Sequence, residues 1–310
     1  MGFSSLHYQQ HKKGGKENKM KIKIICEVLR YEKGLSVNQR WLENILKNLL
    51  DSSLNASIEY LNNEELLHLH NSILNCYGLN KPSNLNWVKL YTKEPTQEVL
   101  DIIQKYFTDS FIIAFELHPL LEKAFKILNI PYLKLMWHPI RYMDDIFFGM
   151  TSNIPSIHDK LLKYQTNDFI FKQKAGLLKA EASVNEFYKK INIQENSCVF
   201  FAQTNVDCSL IDGNKMLNFF DFKDEFLKDI ENYDHVYFKI HPCERNGKVI
   251  DFIKSIDKAT ILYPNDINFY DLISSDKIKK CFAISSGSLY EARLFGKETK
   301  YYYKLCFFSK

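Results

Sequence analysis

The chain has 310 residues, of which 45% are hydrophobic and 25% are charged, and its formal net charge is +4. That length suits one large domain or two domains of about 150 residues each. A charge this small, without concentrated basic stripes, argues against a nucleic-acid partner and fits a protein that meets an anionic substrate or an anionic membrane surface.

Neither the cysteines nor the first residues predict a secreted or membrane-spanning protein. The seven cysteines include no CxxC pair and no Cys/His cluster with metal-ligand spacing, so we expect reduced thiols in a cytoplasmic protein. No apolar run approaches the roughly 20 residues that span a bilayer. Residues 1–19 are polar and rich in Gly and Lys, which predicts a leader or a disordered tail.

Strands and helices alternate through the first half of the sequence. The apolar run at 21–29 predicts a buried strand, and apolar residues at helical spacing over 36–53 predict a helix after it. Further strands are predicted at 56–61, 87–92, 110–116 and 132–139, with helices at 96–107 and 120–129. This order is typical of an α/β domain.

The same alternation restarts in the second half. Residues 155–190 are charged and helical, and we place the junction there, with domains at 20–180 and 181–310. After it, strands are predicted at 197–203, 235–242, 260–264, 280–285 and 299–308, with helices near 219–230, 247–256, 268–275 and 287–296. In open parallel sheets, ligands bind beyond the carboxyl ends of the strands.

Polar residues lie at or just beyond the carboxyl ends of three of the second-half strands. They are Gln203 and Asp207, then Lys239 and His241, then Ser285, Ser286 and Gly287 with Glu291 one turn further. Backbone N–H groups and hydroxyls at the start of a helix favour an anion such as phosphate, although an ordinary helix cap has the same pattern. Asp207 fits a turn as well as chemistry, His241 fits a phosphate donor or a structural role, and Glu291 fits a ribose ligand or a solvated helix position.

Several segments resemble those of known glycosyltransferases. "YFKIHP" and "FAISSGSLYEARLFGK" resemble the HP and SS signatures of bacterial enzymes that use CMP-activated ulosonic acids. "QTNVDCSLI" is similar to the Gln-x-x-x-Asp-x-Ser-Ile stretch of the retaining β-Kdo transferases of capsule and O-antigen synthesis. The block at 111–153 is similar to another stretch of that family, so the resemblance covers most of the chain.

The resemblance implies a GT-B-like α/β fold, with two Rossmann-like lobes and a cleft between them. The lobe at 20–180 would face the acceptor, and the lobe at 181–310 would bind CMP-β-Kdo. The implied phosphate ligands are Lys239, His241, Ser285 and Ser286 beside Gly287, with Glu291 on the ribose and Gln203 on the ulosonic acid. These donors could stabilise the leaving phosphate, so we expect no metal and no cofactor.

Two catalytic roles follow from the same resemblance. Retention by double displacement needs a carboxylate nucleophile, and Asp207 matches that position. The acceptor hydroxyl needs a base from the other lobe, for which Glu116 is the first candidate and His138 the second. Arg141 could pair with the carboxylate of the donor sugar, or it could belong to an internal salt-bridged turn.

Two other functions remain open at this stage. One is an inverting sialyl- or other ulosonic acid transferase that uses the same CMP site, and the other is a non-catalytic sugar-nucleotide-binding protein of a polysaccharide locus. The expected acceptor is a saccharide or a lipid-linked glycan. We expect a cytoplasmic protein that could associate peripherally with the inner face of the inner membrane.

Overall fold

The computed structural model of the chain describes residues 21–30, 35–54, 56–80, 83, 85–185, 191–243 and 247–303, without the side chains of 35–38, 57 and 185. The predicted leader at 1–19 lies outside the described residues.

The first lobe is built on a five-stranded sheet. Its strands are β1 (Lys21–Cys26), β2 (Ser57–Tyr60), β3 (Ser110–Phe115), β4 (Tyr132–Trp137) and β5 (Phe148–Ser152). They lie in the order β2-β1-β3-β4-β5, and all pairs are parallel except β4 with β5. The helices described in this lobe are α1 (Leu35–Ser53), α2 (Asn63–Cys76), α3 (Asn86–Lys89), α4 (Gln97–Phe107) and α5 (Pro119–Ile127).

The pairing of β1 with β3 sets up one edge of the site. Ile22, Ile24 and Ile25 of β1 are buried, as expected for a central strand covered on both faces. The register pairs Cys26 with Phe115, the last residues of the two strands. The residues that follow each strand therefore lie side by side at the carboxyl edge of the sheet.

The second lobe repeats this architecture with an all-parallel sheet. Its strands are β6 (Ser197–Phe201), β9 (His235–Lys239), β10 (Ala259–Leu262), β11 (Ile278–Ala283) and β12 (Glu298–Tyr301), in the order β10-β9-β6-β11-β12. A short antiparallel hairpin, β7 (Ile211–Asp212) with β8 (Lys215–Met216), leaves the sheet after β6. The helices described here are α8 (Lys223–Asp229), α9 (Gly247–Lys254), α10 (Phe269–Ser274) and α11 (Ser288–Leu294).

Two helices connect the sheets, α6 (Pro155–Lys163) and α7 (Asp168–Asn185). Phe171 and Ala175 of α7 are buried in the core of the second lobe, against residues such as Ile273 of α10. The boundary that we drew at residue 180 falls inside α7. Because α7 packs on the second lobe, we propose a boundary before Asp168.

The strand expected at 87–92 is wrong. Trp87 and Val88 belong to α3, and the backbone N–H of Leu90 donates to the Trp87 carbonyl oxygen at 3.2 Å in a helical turn. Trp87, Val88 and Leu90 are all buried, so the apolar run faces the core without extending. A short apolar run has no periodicity that separates a strand from a single helical turn.

The α/β class is confirmed, with two Rossmann-like lobes facing each other across a cleft in a GT-B-like arrangement. Among the residues described, none of the helices combines the length and the apolar character that a bilayer-spanning segment requires.

Candidate active site

The carboxyl ends of the two sheets face one cavity of about 630 Å³. Its first-lobe wall includes Glu27, Arg30, Trp41, Phe115, Glu116, Trp137 and Arg141. Its second-lobe wall includes Gln203, Asp207, Ser209, His241, Ser285, Ser286, Gly287 and Glu291. Every predicted site residue except His138 and Lys239 therefore lines this cavity.

Glu116 directly follows β3 and has a backbone φ of 48°, in the left-handed region. Its side chain is 17% exposed. Burial, followed by the charge of Glu27, raises the pKa of the Glu116 carboxyl to about 8; Arg30 opposes this and Asp207 adds to it. A carboxyl group whose pKa lies near neutral pH is suited to accepting a proton during catalysis.

Glu27 and Arg30, in the loop that follows β1, also line this wall. Our sequence analysis did not predict either of them as a site residue. Arg30 Nη1 lies 2.6 Å from Glu27 Oε1 and 3.5 Å from Glu116 Oε2. Arg30 Nη2 also donates to the carbonyl oxygen of Val206 in the second lobe, at 2.9 Å. We expected 21–29 to be a single strand, yet a charged residue directly after an apolar strand is the same signal that pointed to Glu116.

Asp207 has a structural role and also faces the cavity. It is the N-cap of a short 3₁₀ helix (Cys208–Leu210), where its Oδ1 accepts a hydrogen bond from the backbone N–H of Ser209 at 2.9 Å. It lines the cavity, and its charge contributes to the raised pKa of Glu116 on the opposite wall. The turn interpretation and the chemical interpretation both fit this geometry.

Gln203 and Ser285 form a buried network that joins the loops after β6 and β11. Gln203 Nε2 donates to Ser209 Oγ at 3.1 Å and to Ser285 Oγ at 3.2 Å, and Gln203 Oε1 accepts from the Ser285 backbone N–H at 2.7 Å. Ser285 Oγ donates to Ser209 Oγ at 2.8 Å. These polar groups are satisfied by one another, so the network holds the two loops in register. Direct contacts of Gln203 and Ser285 with the CMP-sugar remain predictions.

Ser286 and Gly287 begin the turn into α11. The Ser286 hydroxyl donates to Ser288 Oγ at 3.0 Å and accepts from the Ser288 backbone N–H at 3.2 Å. A Cβ on Gly287 would lie 3.0 Å from Pro139 Cβ of the first lobe. The close approach of the two lobes thus accounts for a small residue at 287.

His241 lines the cavity with a defined tautomer. Its Nδ1 lies 3.1 Å from the backbone nitrogen of Cys243, whose N–H donates to it. A neutral ring with an accepting Nδ1 carries its proton on Nε2, so the Nε2–H is a hydrogen-bond donor. This is the property that a phosphate ligand requires.

Glu291 and Arg141 join the two lobes. Glu291 Oε1 accepts from the backbone N–H of Arg141 at 2.7 Å and from the Tyr270 hydroxyl at 3.0 Å. Burial raises the pKa of Glu291 to about 7, against the lowering effect of these hydrogen bonds. The Arg141 guanidinium lies 4.6 Å from the centre of the Trp137 ring, and its Nη1 donates to the His138 carbonyl oxygen.

His138 and Lys239 lie outside the cavity lining. The His138 ring packs 5.3 Å from Phe171, and burial, followed by the charge of Arg141, lowers its pKa to about 4. Lys239 Nζ donates to the carbonyl oxygens of Tyr263 at 2.7 Å and Pro264 at 3.1 Å. Their catalytic and donor-binding roles remain predictions, and Lys239 would have to leave these carbonyls to reach a ligand.

The two walls of the cavity differ in chemistry. The first lobe supplies a carboxyl group that can take a proton, and the second supplies the hydrogen-bonding side chains of Ser286 and His241. Such an arrangement suits a reaction in which one substrate loses a proton at the first wall while negative charge develops at the second. Among the described residues, no three His, Cys, Asp or Glu side chains are grouped as a metal site.

A family model described as Alpha-2,8-polysialyltransferase (POLYST) matches residues 146–304. The match takes in just over half of the chain, from β5 to the end of β12, and so includes Asp207, His241, Ser285, Ser286 and Glu291.

Solved structures resemble the chain at low identity. The Thermosulfurimonas dismutans KpsC beta Kdo 2,7 transferase is 12% identical, with a TM-score of 0.45 and coverage of 92% of this chain and 79% of that chain. The beta Kdo 2,4 transferase of the same KpsC is 13% identical, with a TM-score of 0.46 and coverage of 91% and 79%. A UDP-GlcNAc 2-epimerase from Neisseria meningitidis, bound to UDP-GlcNAc, is 12% identical, with a TM-score of 0.36 and coverage of 91% and 82%.

A comparison with curated proteins gives no significant sequence match. The family model matches more than half of the residues of the chain, most of them in the second lobe. The chain therefore belongs to the alpha-2,8-polysialyltransferase family, and its class of activity is CMP-sugar-dependent glycosyl transfer.

Proposed function

We propose that this protein transfers sialic acid, or a related ulosonic acid, from its CMP-activated form to a glycan acceptor with inversion at the anomeric carbon. The observation that carries the proposal is the shared cavity of about 630 Å³, in which Glu116 of the first lobe faces Ser286 and His241 of the second. The family match, which covers the second-lobe wall, supports a CMP-sugar donor.

In the proposed reaction, Glu116 acts as the general base. Its carboxylate takes the proton of the acceptor hydroxyl as the acceptor oxygen bonds to the anomeric carbon of the donor. The bond from that carbon to the phosphate oxygen breaks, and CMP leaves with the electron pair. The His241 Nε2–H would donate to the phosphate, where negative charge develops, and the Ser286 hydroxyl would do so after turning away from its present acceptor, Ser288 Oγ.

The remaining predicted residues fit supporting roles in this scheme. Gln203 and Ser285 would hold the phosphate-binding loop in place through their buried network. Arg141 lines the cavity and could pair with the carboxylate of the ulosonic acid. Glu291 would contact the ribose, as we predicted, while its Oε1 keeps its hydrogen bonds from Arg141 of the first lobe and Tyr270 of the second.

A retaining β-Kdo transfer is the second candidate, and one observation favours it. The Asp207 carboxyl lines the cavity on the side of the donor-binding loops, where a nucleophile for double displacement would stand. Asp207 would then form a bond to the anomeric carbon as CMP leaves, and the acceptor oxygen would displace it.

Donor use and product stereochemistry test the proposal. We expect CMP release from CMP-sialic acid in the presence of an oligosialic acid acceptor, and a product of inverted anomeric configuration by NMR. Intact-mass spectrometry after incubation with each donor should show no covalent sugar adduct. Release of CMP only when CMP-Kdo is the donor, a product of retained configuration and a sugar adduct on Asp207 would instead establish the retaining candidate. Failure of the wild-type protein to bind CMP or turn over either donor would contradict both.

A further inference from the structure

The residues after β1 and β3 share an unusual backbone conformation. Glu27 has a φ of 41° and Glu116 a φ of 48°, and each directly follows the last residue of its strand. The left-handed region is unfavourable for residues other than Gly, Asn and Asp. Two such residues side by side, both glutamates lining one cavity, point to a role beyond the turn itself.

Backbone pairing brings these two glutamates together. Cys26 and Phe115 are partners in the parallel register, and the backbone N–H of Glu27 donates to the Phe115 carbonyl oxygen at 3.1 Å. The two carboxyl groups therefore project from adjacent strand ends. A side-chain hydrogen bond from the protonated Glu116 carboxyl to Glu27 contributes to the raised pKa of Glu116.

Arg30 contacts both carboxyl groups from the same loop. Its Nη1 lies 2.6 Å from Glu27 Oε1 and 3.5 Å from Glu116 Oε2. The side chains of all three residues are at most 20% exposed, so water screens these charges little.

We propose that Glu27 is a positioning residue for the base Glu116, and that Arg30 holds the two carboxyl groups as a pair that keeps one proton between them. The inference rests on the proposed function, because it explains how that base is kept ready to accept a proton.

The charged surroundings of Glu116 support this assignment. Besides Glu27 and Arg30 on the β1 side, the groups that interact with it are the Cys26 thiol, Asp207 of the second lobe and Arg141. Burial is the main cause that raises the pKa of Glu116 to about 8, and Glu27 is the next. Arg30 acts in the opposite direction.

The pair determines where the acceptor proton goes. Once the pair has released its shared proton, Glu116 is a carboxylate in a site that favours reprotonation. The proton of the acceptor hydroxyl then moves to Glu116 and is shared with Glu27 until solvent removes it. Because the raised pKa makes Glu116 a stronger base, the pair increases its drive to deprotonate an alcohol.

Arg30 also links the pair to the second lobe. Its Nη2 donates to the carbonyl oxygen of Val206, the residue before Asp207, at 2.9 Å. The Arg30 guanidinium, which carries the charge opposite to that of the two glutamates, is therefore held in place by a contact between the two lobes.

The test is the pH dependence of CMP release by the wild type and two variants. Glu27→Gln removes a like charge while keeping the side-chain shape, so the acidic limb of the kcat profile should move about 1 pH unit or more towards acid. Arg30→Gln removes the opposing charge and should move the limb towards alkaline pH. The exposed Glu64→Gln serves as the matched control and should leave the profile unchanged.

The opposite signs of the two shifts separate this role from a merely structural one. Limbs that stay in place, or that both move in one direction, would overturn the inference. If a variant is too slow to assay, the pH dependence of its thermal unfolding reports the same group, since a lower pKa for Glu116 flattens the loss of stability up to about pH 8. CMP binding by calorimetry is measured in parallel, and its absence in the wild type would count against the proposed function itself.

Discussion

Asp207 shows how one residue can satisfy a structural rule and a chemical one at once. Its Oδ1 caps the turn that carries Ser209, and Ser209 in turn contacts Gln203 and Ser285. A carboxylate is not needed for that cap, because Asn caps helices about as well as Asp. Replacement by Asn therefore separates the cap from the chemistry.

We expect Asp207→Asn to keep turnover within about tenfold of the wild type if transfer is inverting, because the cap persists. In a retaining enzyme the same change removes the nucleophile and should lower kcat by about 10⁴-fold or more. Steady-state CMP release measures both outcomes. Asp207→Ala is the control for the cap and should reduce stability by about 1 kcal/mol whatever the mechanism.

Glu116→Gln gives a complementary result at the other wall. Gln has nearly the same shape but cannot accept the acceptor proton, so kcat should fall by about 10²–10⁴-fold. CMP affinity should be preserved, since the donor-binding loops belong to the second lobe. Unchanged transfer by this variant would remove Glu116 from the mechanism.

Among the helices and strands, local sequence signals are sufficient where they are strong. The helix α2 is absent from our predicted elements, although Asn62 and Glu65 form a capping box that is a sequence signature of a helix start. The short apolar run at Trp87 reads equally well as a strand because its helical turn is too short to show a period. Helices with a clear 3.6-residue pattern, such as α4, are predicted within a residue of their observed bounds.

The turn into α11 offers a prediction for a single element. An Ala Cβ at 287 would meet Pro139 Cβ at 3.0 Å, so Gly287→Ala should force the lobes apart by a few tenths of an ångström. Overpacking of this kind costs about 1 kcal/mol or more, and we expect the melting temperature to fall by about 2–4 °C. The Michaelis constant for the donor should rise as the cavity widens.

Gly176→Ala is the matched control for that substitution. Gly176 lies on the exposed side of α7, and a Cβ added there would have no neighbouring atom within 4 Å. Ala at this helical position should raise stability by about 0.5–1 kcal/mol. A melting temperature that rises for both variants would contradict the tight approach of Gly287 to Pro139.

For the molecule as a whole, Glu291 connects the stability of the lobes to pH. Its carboxyl accepts hydrogen bonds from Arg141 and Tyr270, and burial raises its pKa to about 7. The folded protein thus keeps this proton at pH values where the unfolded chain has released it. The stability that this group contributes is therefore fully present below about pH 4.5 and is lost as the pH rises towards 7.

Glu291→Gln should remove that part of the pH dependence. Both hydrogen bonds end on Oε1, which the Gln carbonyl oxygen can replace. As the pH rises from 4.5 to 7.5, the free energy of unfolding of the wild type should fall by about 3 kcal/mol relative to that of the variant. Denaturant unfolding across this range measures the difference, with the exposed Glu181→Gln as control. Parallel curves for wild type and Glu291→Gln would show that Glu291 titrates normally.

The α/β class, and the sheet edge at which most of the candidate site lies, follow from the amino-acid sequence alone. Alternating strands and helices favour parallel sheets, and the carboxyl ends of parallel strands meet at one edge, so Asp207, His241 and Ser285 could be grouped from local patterns. Glu116 follows a strand of the other sheet, and only the family resemblance predicted that it would face them. The partners of these and neighbouring side chains emerge only in the folded chain: Arg30 with Glu116 and Val206, Glu291 with Arg141, and Lys239 with the carbonyls of Tyr263 and Pro264. The contact between the most distant residues in sequence, Arg30 with Val206, joins positions 176 apart, and its geometry depends on how two separate sheets pack, which no local period encodes.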